Sequence, residues 1–256
     1  MTLDVAPQPG AASARARILS HAQLELRMLA RNGEQLLLTV VLPLGLLLVM
    51  ARTDIIDVGA SSDQERIDIV VPGILALAIL STSFTALAIQ TGFERRYGVL
   101  RRVGTTPLSR ANVLWGKALA ILAVETVQLL LLGVVGVALG WQPETLGLVL
   151  LIPLTLLGSA ALAALGLLLA GVVRAEATLA LANLAYVLLA GAGVLIPVSQ
   201  LPDALQPWVE LLPSAALATA FRLATMASDL DAAAVVVLLA WCVVATVGIA
   251  RYFRWE

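Results

Sequence analysis

Six apolar stretches, roughly over residues 36–51, 69–92, 113–139, 145–173, 177–198 and 232–250, leave this chain little choice of solvent other than lipid. A helix rises about 1.5 Å per residue, so about 20 apolar residues cross the hydrocarbon layer of a bilayer. The first stretch is short unless it is extended back to Gly33. The fourth is long and contains Pro153, which predicts either a kinked helix or a short interfacial piece joined to a span. Apolar residues make up 60% of the chain and charged residues only 13%, well below the charge of an ordinary soluble domain. The expected fold is therefore an all-α polytopic membrane protein with six transmembrane helices.

Charge is segregated along the chain. Residues 93–112 hold Arg95, Arg96, Arg101, Arg102 and Arg110 against a single acid, Glu94. Residues 52–68 hold Asp54, Asp57, Asp63, Glu65 and Asp68 against Arg52 and Arg66. With both termini placed in the cytoplasm, 13 of the 16 basic residues fall on the cytoplasmic side, as the positive-inside rule requires. That reading puts the chain in a bacterial inner membrane with both termini cytoplasmic.

The segments outside the spans differ in kind. Residues 1–12, with Pro7, Pro9 and Gly10, read as a disordered tail. Residues 13–35 read as an amphipathic connecting helix, with Leu19, Ala22, Leu26 and Leu29 at helical spacing. Such a helix either lies in the membrane interface or packs on a partner. The lone His21 reads as interfacial. Residues 36–256 form the membrane domain. Within it, 199–222 is too polar and Pro-rich to cross, with Pro202, Pro207, Trp208, Pro213 and Arg222. A re-entrant or interfacial helical hairpin on the outside, with Trp208 at headgroup level, or an external loop resting on the bundle, accounts for it.

Several chemistries are absent. No phosphate-binding G-x-x-x-x-G-K-[ST] motif occurs, His and Cys are too few for a metal cluster, and nothing supports nucleic-acid binding. The only charge deep inside a span is Glu125, three residues from Gln128 and therefore on the same helical face. Ser81, Thr82, Ser83 and Thr85 in the second span, and Asn183 and Tyr186 in the fifth, are the other polar groups near mid-membrane. They either line a substrate path or hydrogen-bond between helices. Gly136 and Gly140 form a small-xxx-small pair that marks close packing of the third span.

The segment FERRYGVLRRVGTTPLSRANVLWGKALA (93–120) resembles the cytoplasmic loop of type-2 ABC exporter permeases, through Glu94, Gly98, Leu100, Arg101, Thr106, Pro107, Leu108, Gly116 and Lys117. The segment IPVSQLPDALQPWVELLPSAALATAFR (196–222) resembles the external hairpin of the same family, through Leu201, Pro202, Pro213 and Arg222. This resemblance, to the drug or antibiotic branch of the family, implies a permease without its own ATPase site. The permease would pair with a second copy or a related permease and bind two separate ABC ATPase subunits, which carry ATP and Mg. It further implies a coupling helix near 94–103, with Glu94, Arg95, Arg96, Gly98, Leu100, Arg101 and Arg102 facing the ATPase. Pro202, Trp208, Pro213 and Arg222 are implied at an external gate. The implied cargo is a hydrophobic or amphiphilic small molecule. A lipid-linked glycan exporter and a non-transporting membrane assembly factor of the same fold are the alternatives.

Overall fold

The structure is a computed structural model and describes residues 12–33, 37–53, 55–103, 105–106 and 108–253. The tail over residues 1–11 and the junction between the connecting helix and the first span at 34–36 lie outside the described residues. Pro107 of the loop motif does so too.

Among the described residues ten α-helices follow one another: α1 (Ala14–Arg31), α2 (Leu42–Met50, entered through a π-helical turn at Leu37–Val41), α3 (Asp63–Arg96), α4 (Val99–Val103), α5 (Arg110–Leu139), α6 (Thr145–Val172), α7 (Ala175–Gly191), α8 (Gln206–Glu210), α9 (Pro213–Ala227) and α10 (Ala232–Tyr252). Among the described residues there is no β-strand, only an isolated bridge between Ala192 and Ile196.

Among the described residues four helices are long and apolar enough to cross a membrane: α3, α5, α6 and α10. Two shorter apolar helices, Thr39–Met50 and α7, fall on the first and fifth stretches. α3 is the axis of the bundle. It packs on α5, α6, α7 and α9, and most of its apolar length is buried. α5, α6 and α10 instead leave rows of Leu, Val and Ile exposed, such as Val127, Leu130 and Val134 on α5. Those rows are apolar because lipid is as good a solvent for them as a protein core.

Local chemistry sets the helix ends. Ser62 Oγ accepts from Glu65 N at 3.2 Å to start α3, while the Glu65 carboxylate accepts from Ser61 N at 2.7 Å. α5 ends at Gly140, whose φ of +111° belongs to a left-handed cap. Gly136 brings α5 against α3, since a Cβ there would lie 3.0 Å from Val71. The small-xxx-small pair thus divides into a packing glycine and a capping glycine. α6 runs as one helix through Pro153. No separate interfacial piece precedes it.

One departure from the sequence reading has a clear cause. The fifth apolar stretch stops being helical at Gly191, because Gly193 takes a φ of +84° and opens a turn whose carbonyls serve another residue. The polar segment before the last helix consists of α8 and then α9, and α9 continues past Arg222 to Ala227. Buried from Pro213 to Ala218, α9 packs against α3, α6 and α10.

Candidate functional site

Two clusters of buried polar side chains form along α3. At the first, α3 changes from α-helical to π-helical over Leu80–Ala86, a wider turn of the kind often found at functional sites. This lets the neighbours Thr82 and Ser83 both reach α5. Ser83 Oγ donates to Glu125 Oε1 at 2.6 Å, and Thr82 Oγ1 donates to Gln128 Oε1 at 2.9 Å. The second Glu125 oxygen accepts from Ser159 of α6, and Gln128 Nε2 donates to the Thr39 carbonyl. Four segments are therefore pinned by one acid and one amide, both about 1–2% exposed. Gly166 of α6 admits the close approach, since a Cβ there would lie 2.7 Å from the Phe84 carbonyl oxygen.

The remaining path candidates are placed differently. Ser81 and Thr85 are buried, and the Thr85 hydroxyl has no hydrogen-bond partner among the described residues. On α7, which packs on the π-helical segment, Tyr186 is half-buried, its hydroxyl without a hydrogen-bond partner among the described residues, while Asn183 is exposed.

The second cluster lies where α1 meets the ends of α3 and α5. Lys117 Nζ is 2.8 Å from Glu25 Oε1 and 2.8 Å from Glu94. Gln90 Nε2 donates to Glu25 at 2.6 Å and to Glu94 at 2.9 Å. His21 Nε2 lies 3.3 Å from Glu25, and the ring packs on Gly116, where a Cβ would fall 2.5 Å from it. All these charged groups are under 10% exposed, so each carboxylate relies on the one ammonium for compensation. Burial lowers the pKa of His21; neighbouring Glu25 opposes that shift and Lys117 adds to it.

The latch shows which face of α1 is buried against the bundle. The helix turns His21, Ala22 and Glu25 inward, whereas Leu19 is 56% exposed. His21 is a buried packing residue.

Beyond the latch the chain reverses at Gly98, whose φ of +68° lets α4 leave α3 sharply. Arg101 and Arg102 are exposed, as is Tyr97, whereas Leu100 is 7% exposed and anchors the turn to the bundle. Arg95 donates to the carbonyls of Gly171 and Val173, the latter at 2.6 Å, and so caps the end of α6. Arg96 pairs with Glu176 at the start of α7. Of the seven residues assigned to the turn, Glu94, Arg95, Arg96 and Leu100 hold it in place, while Gly98 shapes it and Arg101 and Arg102 form its outward face.

At the opposite end, the Arg222 guanidinium donates to the carbonyls of Ile69, Gly193 and Val194, stitching α9 to α3 and to the turn after α7. Pro213 is buried at the first turn of α9, whereas Pro202 and Trp208 are exposed.

Sequence reasoning missed Ser159, Glu25 and Gln90. Glu25 had a visible signal, an acid four residues after His21 on one helical face; Ser159 had none, because its only distinction is the residue it meets. A family model for ABC-2 family transporter proteins matches residues 35–252, which include both polar clusters except His21 and Glu25. No curated protein matches the chain.

Proposed function

The chain belongs to the ABC-2 transporter family, and on that footing we propose that it is the permease of an ATP-driven exporter for a hydrophobic or amphiphilic small molecule. Membership supplies the coarser statement, a multi-pass membrane subunit of an ABC transporter, a kind of subunit that carries no ATPase of its own. The exporter direction, the cargo and the assembly are our reading.

In that reading six segments cross a bacterial inner membrane with both termini in the cytoplasm, and residues 198–227 stay on the outer side. Two permeases, identical or related, pair and engage two ATPase subunits that bind ATP and Mg. The observation that carries the proposal is the exposed Arg101–Arg102 face, joined to the rest by Glu94 and Lys117. A push on this turn cannot be absorbed locally. Leu100 seats the turn, Gly98 sets its angle, and the latch ties it to α1 and α5. Because α3 is continuous from Asp63 to Arg96, displacement at the turn is carried to Thr82 and Ser83 and, through Glu125 and Gln128, to α6. ATPase closure would thus tilt several helices as one body.

For the path we favour the side of α7 that carries Asn183. An exposed amide on a membrane helix is costly against lipid and is better placed against a polar cargo or a second copy. The hydroxyls of Thr85 and Tyr186, without a hydrogen-bond partner among the described residues, are further groups available to a cargo.

The test is co-purification with the ATPase and ATP-driven dye accumulation in inside-out vesicles. Charge reversal of Arg101 and Arg102 to Glu is expected to reduce both by at least about tenfold, as like charge intrudes on the docking face. Unchanged association and transport would overturn the assignment.

A further inference from the structure

A cavity of about 650 Å3 lies between α5 and α6, with the buried side chains of Leu75 on α3 and Phe221 on α9 at its floor. Glycines create it. Gly158 and Gly147 hold α6 against α9: a Cβ at Gly158 would lie 2.6 Å from Leu217, and one at Gly147 would collide with the Ala224 carbonyl. Gly136 holds α5 against Val71 of α3 instead. The two helices follow one another in the chain, yet each is fastened to a different neighbour, and they scarcely touch.

Lining residues on α5 run from Leu122 to Val137, about 22 Å of helix. Leu130 and Ile152, 65% and 63% exposed, flank the open side, which in a membrane faces lipid. Trp141 closes one end, its ring resting on Gly136, where a Cβ would lie 3.3 Å away. A cleft of this volume, apolar and aromatic with polar groups at one margin, has the usual form of a small-molecule site.

The polar margin is acidic. Trp141 and Pro143 line the cavity, and Gln142 between them donates its amide to Asp68 Oδ1 at 3.2 Å. Gln64 Nε2 donates to the other Asp68 oxygen at 3.0 Å. Both donors are neutral, so they orient the carboxylate and leave its charge. Glu144, next after Pro143, is exposed at the start of α6. Neither acid ion-pairs with a cation among the described residues. At this end of the bundle Arg66 and Arg222 are each 9% exposed and donate to main-chain carbonyls. Among the described residues that leaves Arg52 as the exposed base against exposed Asp57, Asp63, Glu144 and Asp229. An anionic amphiphile meets repulsion at such a margin and a cationic one attraction, and the Trp141 indole beside it also favours a cation.

We propose that this cavity binds a cationic amphiphile, with the apolar body between α5 and α6 and the positive group at Asp68 and Glu144. As a cargo site it rests on the exporter reading and narrows the cargo to lipophilic cations collected from the bilayer. As a binding site it works without ATP or an ATPase.

The test uses the full-length permease in phosphatidylcholine nanodiscs without ATP. Binding of tetraphenylphosphonium and of tetraphenylborate, an anion of the same shape, is measured over empty nanodiscs. Tetraphenylphosphonium is expected to bind at least about tenfold tighter. Glu144→Gln, a change at an exposed residue, should weaken that binding about threefold, and Asp68→Asn combined with it about tenfold. Leu130→Trp fills the cavity from an exposed position and should abolish binding, with an unchanged melting temperature as the check on folding. Equal affinity for the two ions, or unaltered binding in Leu130→Trp, would overturn the proposal. ATP-driven uptake of tetraphenylphosphonium by reconstituted Leu130→Trp permease that no longer binds it would end the cargo assignment and leave the exporter reading intact. Normal cation binding by the parent, together with unchanged ATPase association and transport in the Arg101 and Arg102 variants, would end the exporter reading and leave the cation site standing.

Discussion

Lys117 at the start of α5 holds its ammonium 2.8 Å from the carboxylate of Glu94, the acid four residues before the reversal at Gly98. The pair joins the turn after α3 to a second long apolar helix, and Glu25 draws α1 into the same junction at 2.8 Å.

Because the junction is buried, its members should behave as a unit. Lys117→Met strands two adjacent carboxylates and is expected to cost about 3–5 kcal/mol of stability. Glu94→Gln in the Lys117→Met background should recover part of that loss instead of adding to it. Thermal unfolding of the parent, both single variants and the double variant checks this. Simple additivity would mean that the two residues are not coupled.

Glu125 accepts from hydroxyls on two other helices, and those bonds should have a structural effect of modest size. An interhelical hydrogen bond in a membrane contributes about 0.6 kcal/mol on average and about 1.7 at most. Glu125→Leu leaves Ser83 and Ser159 without an acceptor and should cost about 1–3 kcal/mol. Glu125→Gln keeps an acceptor oxygen and should cost about half as much or less. Melting curves rank the variants, and a Leu variant as stable as the parent would remove Glu125 from the structural account. A Gln variant that is stable yet fails in export would show that the charge itself serves transport.

The two ends of α3 should be reachable from opposite sides of the membrane. Thirty-four residues of helix span about 50 Å, more than a bilayer with its headgroups. A cysteine label at Asp63 is expected to react with an impermeant reagent from outside, and one at Gly98 only after the cytoplasmic side is opened. Labelling of both from one side would rule out a transmembrane α3.

Protonation of His21 should loosen the latch. Its folded-state pKa lies below the ordinary value of 6.5, so the unfolded chain binds the proton more readily. The stability due to the neutral ring is therefore complete above about pH 6.5 and is lost as pH falls through the folded-state value. The difference in melting temperature between the parent and His21→Gln should shift against the parent between about pH 7.5 and 5.5. A difference constant across that range would place His21 outside the titrating set.

Leu100 and Arg101 show how far the sequence could be read. Their motif pointed to one docking element, yet the first is buried in its own chain and the second faces outward, and nothing in a five-residue helix announces which side meets the bundle. Asn183 and Ser83 differ in the same way: both are polar groups on apolar helices, one exposed and the other fully enclosed.

The sequence alone determined where the long helices run. The stretches 113–139, 145–173 and 232–250 became Arg110–Leu139, Thr145–Val172 and Ala232–Tyr252, because hydrophobicity and chain breakers act locally. Tertiary structure decided the rest: that Lys117 meets Glu25 and Glu94, that Ser159 completes the shell of Glu125, that the helix at Ser83 widens, and that Arg222 takes the carbonyls freed after Gly191. The physical reason is the solvent. In water an apolar stripe marks the inner face of a helix, but a membrane helix is apolar on the faces that meet lipid and on those that meet protein. Hydrophobic pattern then carries no record of which face is which. What orients these helices is the pairing of a few polar groups far apart in the chain, and those pairs exist only once the helices are packed.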